Sequence, residues 1–274
     1  MRIYISADIE GVAGVVSRGA LSPGGFEYER ACDWMTDTVL VACETLRELG
    51  ADEVVVSDSH GNGQNIRYAR MPDYVSLVRS WPRPLGMMQG VEVGAYDGAL
   101  LIGYHAGATS LGGTLAHTMS GEFFHEVRFN GQVLSEAGIS AALGGHYGVP
   151  VLLIAGDDVA VAETRGLLGD IAAATLKTSY GFLSALTAAP GVAHQRLREG
   201  VREAVGLIGR AAPFVIAGPV DLQIRLRTRF VAEWLSYLPQ VEQRDAFTVG
   251  YRAADVVAAS RFLQFLTNAR TAVG

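Results

Sequence analysis

A strand, helix, strand pattern at the start of the chain restricts its fold more than any other feature. Residues 2–7 (RIYISA) form a short β-favouring run, and Glu53–Ser57 (EVVVS) is a second, β-branched and too short for a helix. Between them, Gly11, Gly14 and Ser22-Pro23-Gly24-Gly25 signal a loop that leads into a helix. From Ala31 onward, Met35, Val39, Ala42, Leu46 and Leu49 recur at steps of three and four, and Gly50 stands where a helix-ending glycine belongs. The result is a β-α-β unit. Apolar runs at Ala99–Gly103 and Pro150–Ala155, with a helical segment at 136–147 between them, continue the alternation. The expected fold is a three-layer α/β/α sandwich around a largely parallel sheet.

Two segments depart from that rhythm. Val127 and Phe129 precede an Asn130-Gly131 dipeptide, the residues a type I′ turn requires, so 126–133 is expected to be an antiparallel hairpin interrupting the α/β run. Beyond about residue 190 come a polar helix near 194–208, an alternation of Leu222, Ile224 and Leu226, and a last helix from about Ala253 to Leu266. These divide the chain into an α/β domain over 1–190, interrupted by the hairpin near 122–135, and a smaller α+β portion over 191–274. No linker marks the junction, and no internal repeat occurs.

Composition narrows the function. The formal charge of −6 and the lack of any Lys/Arg cluster exclude a nucleic-acid surface and a polybasic membrane patch. The longest apolar runs fall far short of the ~20 residues of a spanning helix. Cys32 and Cys43 lie in one helix, ~16 Å apart at ~1.5 Å per residue, too far to bridge. Reduced thiols, and an N-terminus with two carboxylates where a signal peptide needs apolar residues, lead us to expect a cytoplasmic protein.

The candidate chemistry sits at strand ends. Asp8 and Glu10, two apart, point to one side of the first strand, with Ala7 and Ile9 on the other. Their mutual repulsion calls for protonation, a basic partner or a bound cation. The second strand ends Ser57-Asp58-Ser59-His60 and a third ends Gly103-Tyr104-His105, which brings two imidazoles to the same sheet edge if the strands are parallel neighbours. Two histidines with two carboxylates form a metal-ligand set, and mixed N and O donors favour zinc over magnesium. Glu136 opens a helix, where the dipole alone accounts for an acid. Spacing leaves His117 without a role, and His125, His146 and His194 fit no pattern. Asp157 reads as a helix N-cap and not as a catalyst.

The motifs Ser6-Ala7-Asp8-Ile9-Glu10-Gly11, Ser57-Asp58-Ser59-His60, Gly103-Tyr104-His105-Ala106, Ala116-His117-Thr118-Met119 and Ser135-Glu136-Ala137-Gly138 occur in an order and spacing that resembles the zinc-dependent D-aminopeptidases of dipeptide-transport operons, the DppA type. Ala232-Glu233-Trp234 and Leu238-Pro239 extend the resemblance into the tail. It implies two zinc ions per chain held by Asp8, Glu10, His60, His105 and Glu136, with Asp8 as the bridge. It places His117 in the chemistry. It further implies removal of an N-terminal residue, a D-amino acid, from short peptides through a metal-activated water, D-alanine-containing peptides among the substrates, and a ring-like homo-oligomer with a decamer as one size. Two readings compete: a metal-dependent amidohydrolase or phosphoesterase, and an assembly protein in which the same residues hold a structural metal.

Overall fold

A computed structural model describes residues 1–269. In chain order the first half contains β1 (Arg2–Ala7), α1 (Tyr28–Glu48), β2 (Glu53–Asp58), β3 (Val75–Val78), β4 (Gly98–Tyr104), β5 (Phe124–Phe129), β6 (Gln132–Val133) and α2 (Glu136–His146). The second half adds β7 (Val151–Asp157), α3 (Asp158–Leu168), β8 (Ala172–Gly181), β9 (Ser184–Thr187), α4 (Pro190–Val205), β10 (Val220–Leu226), α5 (Arg229–Leu235), β11 (Val241–Gln243), β12 (Thr248–Ala253) and α6 (Val256–Ala269).

The main sheet runs β3-β2-β1-β4-β7-β8-β9, parallel throughout except for the last pair. Period-two alternation explains how it fills both sides. Ile3, Ile5, Ala7 and Ile9 pack under α1 and α4, while Tyr4 faces the other core with Leu101, Tyr104 and α2. The sheet therefore lies between two helical layers, as expected. The alternation outlives β1 itself: the strand ends at Ala7, yet Ile9 is still buried on the α1 side, which leaves Asp8 and Glu10 for the opposite side.

The second sheet, β11-β12-β10-β5-β6, is antiparallel. Asn130 and Gly131 have φ of 50° and 83°, the two positive values a type I′ hairpin needs. The hairpin pairs with β10, so Val127 and Phe129 share one core with Leu222, Ile224 and α6. The sheets thus divide the chain differently from a cut at residue 191, for α4 lies on the main sheet. The final five residues of the expected 191–274 portion lie outside the described residues.

Element ends differ from the sequence reading for local reasons. Helix α4 opens at Pro190, a residue suited to a first turn, and ends at Val205. Helix α6 opens at Val256 and not Ala253, because Asp255 accepts the Ala258 amide at 2.8 Å as an N-cap. Strands β3, β8, β9, β11 and β12 and helix α5 were not expected. Cys32 and Cys43 are buried free thiols in α1.

Candidate metal centre

The register of the main sheet assembles the site. Ala7 pairs with Asp58 on one side and Ile102 on the other, so β1, β2 and β4 end side by side. The Asp8 amide continues the ladder to Ile102 O at 2.8 Å, and the Ser59 amide to Ala7 O at 2.8 Å. At Gly103 (φ 74°) the β4–β7 register shifts, which turns Tyr104 and His105 toward β1. The Gly11 amide reaches Gly103 O at 2.7 Å, and a Cβ on Gly11 would stand 1.9 Å from Tyr104 O, so only glycine allows the approach. After β2, Asp58 accepts the amides of Asn65 and Ile66, and Asn65 Nδ2 holds His60 O at 2.7 Å, which closes the loop that carries His60.

All six residues singled out from the sequence meet there. His60 Nδ1 is 3.3 Å from Asp8 Oδ1 and 3.0 Å from Glu10 Oε2. His105 Nε2 is 3.5 Å from Asp8 Oδ2 and 3.5 Å from Glu136 Oε1. His117 stacks on His105 with ring centroids 4.1 Å apart, and its Nε2 is 3.7 Å from Glu136 Oε1. Glu136, in the first turn of α2, also accepts the Met119 amide at 2.6 Å. His125, His146 and His194 lie outside the cluster. Asp157 caps α3 through the amides of Val159 and Ala160.

The three imidazoles share one arrangement. His60 Nε2 donates to Leu21 O at 2.7 Å, His105 Nδ1 to Ala106 O at 3.0 Å, and His117 Nδ1 to Leu115 O at 2.8 Å. Each ring is held by a backbone carbonyl on one nitrogen and turns the other toward carboxylates, the orientation that prepares histidine to ligate. Glu10 Oε2 and His105 Nε2 are buried without a hydrogen-bond partner, even though His60 Nδ1 is near the first. Orphaned donors of this kind, mixing imidazole and carboxylate, fit a divalent cation of zinc type. They fall into the groups Asp8/Glu10/His60, Asp8/His105/Glu136 and Glu10/His105/His117.

Electrostatics agrees with the packing. Burial, with Glu10 alongside, lifts the Asp8 carboxyl to about 7. Burial pushes Glu10 and Glu136 the same way, but His60 outweighs it at Glu10 and His105 at Glu136, and both stay low. For the imidazoles burial opposes protonation. The carboxylates overcome it at His60, which rises well above its usual range, and at His105, which rises to about 10. At His117 burial and the neighbouring His105 prevail, and its value falls.

One residue beneath the site escaped the sequence reading. Lys177, buried on β8, donates to the carbonyls of Glu10, Val12 and Val15 and so ties down the loop after β1. Burial lowers it to about 8. It carries a signal in composition: it is the one lysine among 22 cationic residues, the others being arginine. Three carbonyls around a point suit an ammonium with three donors and not a planar guanidinium.

Above the centre opens a cleft of about 770 Å³, walled by Leu21, Leu115, Met119 and Phe182 among others. The chain matches the family model of peptidases M55, D-aminopeptidase, over residues 1–265. The D-aminopeptidase of Bacillus subtilis (strain 168) is 28% identical over 268 residues, 97% of this chain and 97% of that protein. The solved structure of the Zn-dependent D-aminopeptidase DppA from Bacillus subtilis, a self-compartmentalizing protease, is similar with a TM-score of 0.93 at 26% identity, covering 98% of each chain. With both sheets and the clustered residues inside the matched span, the chain belongs to the D-aminopeptidase family M55, enzymes that hydrolyse peptide bonds.

Proposed function

We propose that this chain is a binuclear zinc aminopeptidase that removes an N-terminal D-residue from short peptides, with Asp8, Glu10, His60, His105 and Glu136 as metal ligands and His117 as acid and base. The observation that carries this reading is the position of Asp8. Its Oδ1 faces His60 and its Oδ2 faces His105, so two donor groups share one carboxylate, which would let Asp8 serve two ions at once. Zinc bound there supplies a Lewis acid for the scissile carbonyl and lowers the pKa of a water. His117 is the most exposed of the six side chains, 21% against 9% or less, and it lines the cleft, which suits proton transfer better than ligation. With Nδ1 held by Leu115 and its pKa lowered, its Nε2 is a proton acceptor at neutral pH. It takes a proton from the attacking water and returns it to the leaving amine.

The D-preference rests on the family and on the similarity to the Bacillus subtilis D-aminopeptidase. A ring-like assembly is supported by the self-compartmentalizing relative and by Tyr180, Phe182, Leu183 and Leu186, apolar side chains exposed around the β8–β9 turn. Buried free thiols accord with a cytoplasmic setting, and among the described residues no helix is long and apolar enough to cross a membrane.

The test is metal analysis with hydrolysis assays on D- and L-aminoacyl dipeptides and a phosphoester. We expect two zinc per chain and faster turnover of the D-peptide. Asp8→Ala should lose both ions, whereas His117→Ala should keep them and lose ~10²–10⁴-fold in kcat. Phosphoester turnover without peptide cleavage would overturn the reading.

A further inference from the structure

The rim of the cleft carries charge that the metal centre does not use. Arg18 and Arg227 both line it, and among the described residues neither guanidinium makes a hydrogen bond or ion pair. They arrive from opposite ends of the sequence. Arg18 opens the 3-10 turn Arg18–Ala20, just before the Leu21 whose carbonyl holds His60. Its Cζ stands 6.0 Å from the ring centroid of Phe182, another cleft residue. Arg227 follows β10, and its amide donates to Phe123 O at 3.0 Å, beside the cleft wall Ser120-Gly121-Glu122. Backbone pairing thus positions each arginine, one through the loop above the main sheet and one through the second sheet.

The rim is consequently positive. Asp8, Glu10 and Glu136, the proposed metal ligands, lie at the floor, while the rim sets two arginines against a single acid, Glu122. With metal held on those carboxylates the floor would take a neutral amine, and the rim calls for an anion at the other end of the ligand. A short peptide has both, its terminal amine and its C-terminal carboxylate being ~7–10 Å apart in an extended di- or tripeptide. Such a molecule is within the size range that a cleft of this volume holds. The planar guanidinium fork matches a carboxylate in two hydrogen bonds.

We infer that Arg18 and Arg227 form a carboxylate subsite that grips the free C-terminus of the substrate, so that the enzyme selects peptides with a free C-terminal carboxylate over their amidated counterparts. This inference rests on the aminopeptidase reading. The floor takes the amine and the rim takes the carboxylate.

The experiment compares kcat/KM for D-alanyl-D-alanine and its C-terminal amide on the zinc-loaded full chain, as wild type, Arg18→Gln, Arg227→Gln and the double variant, with thermal melts to verify folding. The wild type is expected to favour the free acid ~10–100-fold, mainly through KM, and the double variant to bring that ratio close to one. A wild-type ratio near one overturns the subsite while the peptidase reading stands. So does a ratio that the double variant leaves as it was. If the wild type cleaves neither peptide, the peptidase reading falls and the subsite falls with it. Because the acid and amide are compared on the wild type as well, a variant that does not fold leaves the inference open to refutation.

Discussion

At the scale of single residues, the centre is a balance between buried carboxylates and imidazoles that has two solutions, protons or a cation. Without metal, His60 and His105 hold protons because the carboxylates favour the charged rings. For His105 the folded value, about 10, lies above the ordinary 6.5, so the folded state binds the extra proton in between and stability falls as pH rises. Between pH 6.5 and 8 we expect the metal-free protein to lose roughly 1 kcal/mol per pH unit for each such histidine, read as a falling Tm. Above pH 8 Lys177, lowered to about 8, works in the opposite direction. Zinc binding should release protons, seen by calorimetry in buffers of different ionisation enthalpy, and its apparent affinity should rise with pH. An affinity that is flat from pH 6 to 8 would contradict this. Much of the residue list was legible in the chain: period two put Asp8 and Glu10 on one side, and strand ends put His60 and His105 at one edge. Glu136 and His117 were not legible from spacing, since a first-turn acid and a loop histidine look ordinary until the fold brings them within 4 Å of each other.

At the scale of elements, the loop between β1 and α1 is the part most dependent on remote support. It carries Glu10 and the Leu21 carbonyl, yet its backbone acceptors at Glu10, Val12 and Val15 are satisfied by a side chain on β8. Lys177→Met would leave the buried carbonyls of Glu10 and Val15 without this donor, while the Val12 carbonyl would keep only the Val15 amide at 3.2 Å. We expect a loss of about 3 kcal/mol and a ~10-fold or larger weakening of zinc binding, measured by denaturant titration and competition with a chelator. Lys177→Arg should not restore either, because a planar fork cannot follow three converging acceptors. Full rescue by arginine would show that charge and not geometry is what the loop needs. Strand β8 itself was illegible: it begins Ala172-Ala173-Ala174, residues with little strand preference, and becomes a strand through pairing with β7.

At the scale of the molecule, the two sheets share one core. Val127 and Phe129 of the hairpin, Leu222 and Ile224 of β10, and Leu263 and Leu266 of α6 belong to a single buried cluster with α2. A fragment ending at residue 190 would lose β10, β12 and α6 and strip that cluster of one wall. We expect it to lack a cooperative melt and to bind an apolar dye, and independent folding with a sharp transition would show that residues 1–190 form a self-sufficient domain. Helix α4 supports the expectation from the other side, since it packs on β8 and α1 although it falls beyond the cut.

The division between sequence and tertiary structure follows from range. The sequence alone determined what is local: the period of each amphipathic run, the Asn-Gly turn, and which chemically active residues end the strands. These depend on neighbours within a few positions, where sterics and hydrogen-bonding options are set by residue type. The tertiary structure decided the order β2-β1-β4, without which His60, Asp8 and His105 would end separate strands far apart. It also brought His117 onto His105 and Lys177 beneath Glu10. Those contacts are chosen by how whole faces bury one another, and no short stretch of the chain contains both partners.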